Sequence, residues 1–513
     1  MFLLVAVNAK YIHSNPAVYS LRAYAGPDFD VKISEYTINN NTSDILRDIV
    51  LQVPDVIGFS CYIWNISKIK ILISDIAKLL PSTDIWLGGP EVSFCAEEYL
   101  SCYPNVKGVF IGEGEASFKE VLKEYDSEKD FVSIPGICTR DNIGNTKMPQ
   151  QISSDNIPFI YENGFSDFTN RIIYYESSRG CPFRCSYCLS SIDKTTTFRS
   201  LDLVKSELSF FLAHKVPQVK FIDRTFNCDK SRALSIWKYI ADNDNGITNF
   251  HFEIAADLLD DDSIKLLSSL RPGLVQLEIG VQSTNTKTLE AVNRPCDIAH
   301  ISSIVTKLNA TGNALLHLDL IAGLPYEDLS SFRKSFNDVW AMNPTVLQLG
   351  FLKVLKGSPI AQQVSDFNIK HTVEPPYEVL STTWLSYSDI CVLKDIEAVL
   401  EIYGNSLQYT STLPKLMTYF DTPFDFFSKL AEYYRNKNLF ALPPARSARY
   451  EILYNFAVSA CKIGSDTLKE LLTLDFCLRE KPKKLPDFFT RLPDGITIDY
   501  SSKNPVTGNY RIN

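Results

Sequence analysis

A chain of 513 residues has room for about three domains, and its 45% hydrophobic, 22% charged and 12% aromatic content excludes a disordered, collagen-like or low-complexity scaffold. With 51 Lys and Arg against 60 Asp and Glu the net charge is −9, which argues against a nucleic-acid partner. The opening MFLLVAVNAK has no basic n-region and its apolar run breaks at Asn8, so no secretory signal is expected. No uninterrupted stretch reaches the roughly 18 to 20 apolar residues of a membrane span, so no membrane partner is expected and the expected location is cytoplasmic. Twelve cysteines in this length are no disulfide framework.

Strand-like runs at 2–7, 31–36, 55–60, 84–87 and 106–111 alternate with helical patterns at 16–25, 43–51, 65–80, 91–102 and 117–125. Such alternation implies an α/β, doubly wound (Rossmann-like) parallel sheet, in which ligands bind at the carboxyl ends of the strands. The loops of interest are therefore 8–15, 60–65, 88–91 and 112–115. Residues 126–168 are polar and turn-rich, with 143–146 lying between two short extended runs, and predict a linker at 135–166 with a small hairpin.

A second series has strands at 172–176, 219–223, 250–255, 275–281, 315–321 and 347–352, with helices between them, for example at 201–213, 230–241 and 331–340. Six such units predict a partial (β/α)6 barrel. After Glu374-Pro375-Pro376 the pattern turns helical through 377–490, with a break at 442–444. The basic run at 479–484 reads as a solvated linker, and the end of the chain shows no periodicity. The expected domains are 1–134, the linker 135–166, the barrel 167–374 and a mostly α-helical 375–513.

Three cysteines stand apart from the scattered rest, in Cys181-Pro-Phe-Arg-Cys185-Ser-Tyr-Cys188, directly after the first strand of the second series. Three thiolates at this spacing can converge on one inorganic centre while the loop wraps around it. A structural zinc or an ordinary iron–sulfur site takes four protein ligands, and no further Cys or His follows until His214. One metal position therefore stays open for a ligand or substrate.

The spacing, with an aromatic before the last cysteine, resembles the radical SAM (S-adenosylmethionine) superfamily. The resemblance implies a 4Fe–4S cluster on Cys181, Cys185 and Cys188. Its open iron would take the amino and carboxylate groups of SAM, which is then cleaved to a 5′-deoxyadenosyl radical. Tyr187 would lie beside the adenine, and Asp223, after the second strand, would bond the SAM amino group. Glu253 and Asp257 would reach ribose hydroxyls, and Glu278, Gly280 and Gln282 complete the implied SAM contacts. The stretch from Asp319 to Gly323-Leu324-Pro325 is similar to the branch containing the methylthiotransferases and the oxygen-independent coproporphyrinogen oxidase. The likeness covers roughly 167–360.

A doubly wound domain ahead of such a barrel resembles the cobalamin-binding radical SAM enzymes, whose front domain holds a corrinoid over the barrel mouth. The features that match are Ser60, Cys61 and Tyr62 at one strand end, Gly88, Gly89 and Glu91 at the next, and Gly112, Glu113 and Gly114. Glycine lets backbone approach a large planar ligand closely. Tyr11 and His13 complete the implied cobalamin contacts. The Asp-x-His-x-x-Gly pattern of corrinoid domains that coordinate cobalt is missing from 8–16, which argues against a His–cobalt bond.

His214, His251, His300, His317 and His371 read as structural, Cys228 and Cys296 as buried thiols, and the aromatics around Tyr403, Tyr409, Tyr419 and Phe420 as core. The three-part layout resembles cobalamin-type radical SAM proteins with a C-terminal helical domain of unknown function. The implied reaction is methylation of an unactivated carbon, with cyclisation or rearrangement, or RNA modification of the methylthiotransferase kind, as alternatives. The implied partners are a small-molecule or peptide substrate and a low-potential electron donor such as a flavodoxin or ferredoxin. No residue is assigned a catalytic role.

Overall fold

A computed structural model describes residues 1–149, 151–162, 164–192, 195–461, 463–493 and 495–512. Gln150 and Asn163 of the expected linker, and Asn513 at the end of the expected helical domain, lie outside the described residues. Two compact units divide the chain. The first is Met1–Arg224 with the returning segments Lys353–Gln363 and His371–Glu378, and the second is Thr225–Leu352, Val364–Lys370 and Val379–Asn513.

The first unit opens with β1 (Phe2–Asn8), α1 (Pro16–Ala25), β2 (Val31–Thr37), α2 (Thr42–Leu51), β3 (Val56–Ser60), α3 (Ile66–Leu79), β4 (Asp84–Gly88), α4 (Ala96–Cys102), β5 (Val106–Phe110) and α5 (Glu115–Tyr125). The strand order is β2-β1-β3-β4-β5, all parallel, closed by a short antiparallel β6 (Ile137–Cys138). Every residue of β1 is buried, as expected of a central strand covered by helices on both faces. Helix α3 buries Ile66, Ile69, Leu72, Ile73 and Ile76, one apolar stripe at helical spacing. The order reverses between β1 and β3, and such a reversal opens a crevice at the carboxyl ends of the strands.

No strand pair forms across 143–146 among the described residues. The edge of β5 takes the hydrogen bonds of β6, and the Asn142 side chain then turns the chain by accepting from Thr139 N–H and donating to Ile137 O. The unit continues with β7 (Ile173–Tyr175), β8 (Ser178–Arg179), β9 (Thr197–Phe198), α6 (Leu201–Ala213) and β10 (Gln218–Phe221). Strand β7 runs parallel to β10, while β8 and β9 pair antiparallel and form a neck around the intervening loop.

The second unit holds α7 (Lys230–Asp242), β11 (Asn249–Ile254), α8 (Asp261–Ser269), β12 (Val275–Gln282), α9 (Thr286–Ala291), α10 (Ile298–Asn309), β13 (Leu315–Ala322), α11 (Leu329–Ala341) and β14 (Val346–Phe351). Strands β11 to β14 pair parallel in chain order. Aspartates cap four of these helices: Asp229, Asp260, Asp297 and Asp328 each accept a first-turn N–H. The six expected strands of the second series all form: β7 and β10 in the first unit, β11 to β14 in the second.

After α12 (Pro359–Gln362), β15 (Lys370–His371) and β16 (Val379–Ser381), the chain is helical: α13 (Tyr387–Val399), α14 (Thr412–Met417), α15 (Pro423–Asn436), α16 (Arg446–Ala460) and α17 (Ser465–Arg479). Tyr403 and Tyr409 are core, as expected, with the Tyr403 and Tyr434 hydroxyls 2.6 Å apart, whereas Tyr419 is 38% exposed and is not core. The end of the chain differs from expectation. It forms an antiparallel pair, β17 (Ile498–Lys503) and β18 (Tyr510–Ile512), and Arg479 of the basic run donates to Thr507 O at 3.0 Å. Both strands are short and half-exposed, so their alternation is faint. Among the described residues no helix is long and apolar enough to cross a membrane.

The exits of β12 and β13 are joined by a buried carboxylate. Ser283 and Ser335 donate to Glu327 Oε1 at 2.6 and 2.9 Å, while Oε2 has no partner. Burial raises the Glu327 pKa from 4.5 to about 7. The folded protein therefore holds this proton more tightly than the unfolded chain, and stability falls as pH rises through that window and is level above it. Glu327→Gln keeps the shape without titrating. In denaturant unfolding at pH 8 it should exceed the parent by roughly 2–3 kcal/mol, and at about pH 4 the gap should nearly close. An equal gap at both pH values would remove Glu327 as the titrating group.

Candidate functional site

The cysteine loop leaves β8 through Gly180, whose φ is +88°, and a Cβ there would meet the carbonyl oxygen of Thr195 at 1.9 Å. Only glycine fits that approach. Just upstream, Asp223, 1% exposed, accepts from Ser177 N–H at 3.0 Å and from the hydroxyls of Ser177 and Ser178 at 2.6 Å each. Arg179 donates to Glu176 Oε2 at 2.7 Å and forks onto Glu115 of α5. The neck of the loop is thus fixed before Cys181 is reached.

Within the loop Cys185 is buried and Cys181 and Cys188 are partly exposed. Cys188 N–H donates to Cys185 O at 3.1 Å, and Ser186 O accepts from Ile360 N–H at 2.9 Å. The buried Ser186 hydroxyl has no partner. Among the described residues no three His, Cys, Asp or Glu side chains gather tightly enough to hold a single metal ion. A polynuclear cluster, where each thiolate takes its own iron, suits this donor set of three thiols without a fourth. Tyr187 lies inside the same loop.

The front-sheet loops come next. Ser60 Oγ accepts from Asn15 Nδ2 at 2.8 Å, and Cys61 N–H donates to Gly88 O at 2.7 Å. Burial pushes the Cys61 thiol pKa well above its ordinary value. Gly89 has φ +119°, and a Cβ there would sit 2.4 Å from Cys61 O, so the exits of β3 and β4 touch backbone to backbone. Tyr62 stacks on Trp64 with ring centroids 4.3 Å apart. A Cβ on Gly88, Gly112 or Gly114 would likewise meet protein, Phe110 at 3.4 Å, Pro149 at 3.1 Å and Leu21 at 3.2 Å, so the glycines of these loops serve close packing at the strand exits.

Glu91 is committed elsewhere: buried, it accepts from the Tyr377 hydroxyl and lies 3.6 Å from Lys356 Nζ. His13 Nδ1 is 2.5 Å from the Tyr174 hydroxyl, and its pKa is lowered by burial and by Lys10 and Lys220. Tyr11 is exposed and lies under the Arg171 guanidinium. Gly112, at φ +70°, and Gly114 flank Glu113, which is 3.5 Å from Arg179.

In the second unit, strands β12 and β13 alternate strictly between buried and half-exposed residues. One face carries Leu277, Ile279, Leu316, Leu318 and Leu320. The other carries His251 and Glu253 of β11, Gln276, Glu278, Gly280 and Gln282 of β12, and His317 and Asp319 of β13. A sheet packed under helices on both sides would be apolar on both, so this polar face marks a site.

Glu278 Oε2 is 2.8 Å from His251 Nε2, and the register sets Glu278 beside both Glu253 and His317. Gln282, at φ +70° in a bulge, has a buried Oε1 without a partner. Asp257 stands apart, in the 3-10 turn after β11. Sequence reasoning read His251 and His317 as structural, met Asp319 only as the start of a family-like stretch and did not single out Gln276. The strand alternation in FHFEI, VQLEIGVQ and LLHLDLIA was the available signal.

Residues 3–122 match the family described as B12 binding domain, 175–339 the Radical SAM superfamily, and 365–503 a Protein of unknown function (DUF4080). The chain thus carries a B12-binding domain, a radical SAM domain and a DUF4080 domain. It is 25% identical over 329 residues to the 2-(S-pantetheinyl)-carbapenam-3-carboxylate methyltransferase of Streptantibioticus cattleyicolor, covering 60% of this chain and 48% of that protein. It is 24% identical over 331 residues, with the same shares, to the cobalamin-dependent radical SAM methyltransferase TokK of Streptomyces tokunonensis. The chain spans about half the length of these curated relatives. In fold it is similar to the cobalamin-dependent S-adenosylmethionine radical enzyme OxsB with aqua-cobalamin bound. The TM-score is 0.64 at 15% identity, over 93% of this chain and 79% of that one.

Replacing Asp223 by Ala removes the acceptor of three buried hydrogen bonds. The variant should lose about 2 to 4 kcal/mol in urea unfolding and retain less iron after anaerobic reconstitution. Full iron retention would show that the loop neck does not depend on this carboxylate.

Proposed function

We propose that this chain is a cobalamin-dependent radical SAM enzyme that methylates an unactivated carbon of a small molecule. The observation that carries the reading is the membership of the cysteine loop and the strand-exit loops of the B12-type sheet in one compact unit, tied through Arg179 and Glu115. The methyltransferase relatives support methyl transfer over cyclisation, rearrangement or RNA modification.

Cys181, Cys185 and Cys188 would hold three irons of a 4Fe–4S cluster, and the fourth would be left for SAM. When bound, the reduced cluster supplies the electron that splits SAM, and cobalamin carries the methyl group to be delivered. Asp223, expected from the resemblance to bond the SAM amino group, is 1% exposed and commits its carboxylate to Ser177 and Ser178, which sets the loop neck. In the first unit Tyr187 is a proposed SAM contact; in the second, taken by itself, the proposed SAM contacts are Asp257 and, on the polar strand face, Glu253, Glu278, Gly280 and Gln282. The His251–Glu278 pair fixes the direction of that carboxylate. Ser60, Cys61, Tyr62, Gly88, Gly89, Gly112, Glu113 and Gly114 cradle the corrinoid, with Tyr11 and His13 at the edge, while Glu91 supports the β4 exit through Tyr377. A flavodoxin or ferredoxin in the cytoplasm would supply the electron.

The test is anaerobic reconstitution with iron, sulfide and hydroxocobalamin, then SAM and a strong reductant. The expected products are 5′-deoxyadenosine and S-adenosylhomocysteine, with corrinoid bound. Cys185→Ala should abolish cluster binding and SAM cleavage while leaving corrinoid binding intact. Deoxyadenosine formation without bound corrinoid would overturn the cobalamin half, and a full cluster in Cys185→Ala would overturn the ligand assignment.

A further inference from the structure

We propose that Glu115 is a positioning residue that, through Arg179, couples the occupancy of the front-domain cradle to the geometry of the cysteine loop. The proposal rests on the cofactor reading above. Glu115 is the first residue of α5, directly after Gly112-Glu113-Gly114 at the exit of β5, and Arg179 lies two residues before Cys181. One guanidinium faces three carboxylates. Its Nη1 donates to Glu115 Oε2 at 3.1 Å, its Nη2 to Glu115 Oε1, its Nε to Glu176 Oε2 at 2.7 Å, and Nη1 is 3.5 Å from Glu113. The Arg179 and Glu115 side chains are 17% and 7% exposed. Ser20 of α1 also donates to Glu115 Oε1 at 3.0 Å, so the carboxylate is anchored to two helices of the front domain.

Burial alone would raise the Glu115 pKa, but the Arg179 guanidinium offsets this and holds it below the usual carboxylate range. A buried pair of this kind cannot lose one partner without leaving an uncompensated charge. A shift of the 112–115 loop must therefore carry Arg179 with it. The chain around Arg179 has no other slack: Asp223 holds residues 177 and 178, and Gly180 abuts Thr195 O. The Arg179 contacts therefore help set where the chain enters the loop at Cys181. A cavity of about 280 Å³ lined by Ser20, Tyr62, Glu115, Glu176 and Arg179 adjoins the network. Three carboxylates on one cation also leave excess negative charge that responds to any group arriving at Glu113.

A plain structural staple would use the same atoms, so the test reads coupling rather than stability. The full chain is reconstituted with its cluster, and the electron paramagnetic resonance spectrum and midpoint potential of the cluster are measured with and without bound hydroxocobalamin. In the parent, hydroxocobalamin should shift both. In Glu115→Gln the shift should fall by about half or more, with iron and corrinoid content unchanged, and Glu115→Asp should restore part of it. Arg179→Lys, which keeps the charge but loses the fork, should resemble Glu115→Gln. Should Glu115→Gln fail to fold, Ser20→Ala removes only the α1 anchor and should diminish the shift by itself.

A parent shift that survives undiminished in these variants, even with a lowered melting temperature, overturns the proposal and leaves a staple. A parent that binds both groups without any shift overturns it while sparing the methyltransferase reading. A parent that binds no corrinoid or no cluster overturns both.

Discussion

The chain entering the cysteine loop is held from two sides before the first thiol. From one side the Asp223 carboxylate takes the Ser177 amide and two serine hydroxyls; from the other, Glu115 and Glu176 share the Arg179 guanidinium. Loops are ordinarily the mobile parts of a fold, and the proposed centre would have three protein ligands rather than four to restrain it. Rigidity has to come from the neck, and the buried charges supply it. Cys181, Cys185 and Cys188 then hang from an anchored origin rather than from a free turn.

The same device recurs at two other places where the front sheet meets the segments that follow it within the first unit. Glu35 of β2 accepts from Asn8, Asn15, Tyr19 and Arg171, the last at 2.6 Å. Glu91, after β4, takes the Tyr377 hydroxyl of one returning segment, and Lys356 of the other reaches Cys95 at 3.4 Å. Acidic side chains at strand exits therefore act as tethers, each satisfied by an Arg, Lys or Tyr. Breaking such a tether on one side strands a buried charge, so the tethers favour one arrangement of the loops.

The second unit solves a different problem. Its four parallel strands bury leucines and isoleucines on one face under helices with aspartate caps and leave a polar row on the other. That row includes His251 and His317, which looked structural when each was considered singly. A lone histidine carries little information, whereas a histidine on the polar parity of a strand beside Glu278 does. Glu91 erred the other way: it stands beside a glycine pair in sequence, yet the fold turns it to Tyr377.

Periodicity and spacing were enough for the strand–helix rhythm of both series, the helical end of the chain and the three-cysteine loop, because each depends on residues close together in the chain. The β17–β18 pair escaped for the same reason in reverse, being too short and half-exposed to show its alternation. Pairing over distance was not legible. Arg179 and Glu115 are 64 positions apart, Arg171 and Glu35 are 136, and Tyr377 and Glu91 are 286. No local pattern encodes which carboxylate a cation will meet, since that is settled by the order in which parallel strands assemble and by the cost of burying a charge alone.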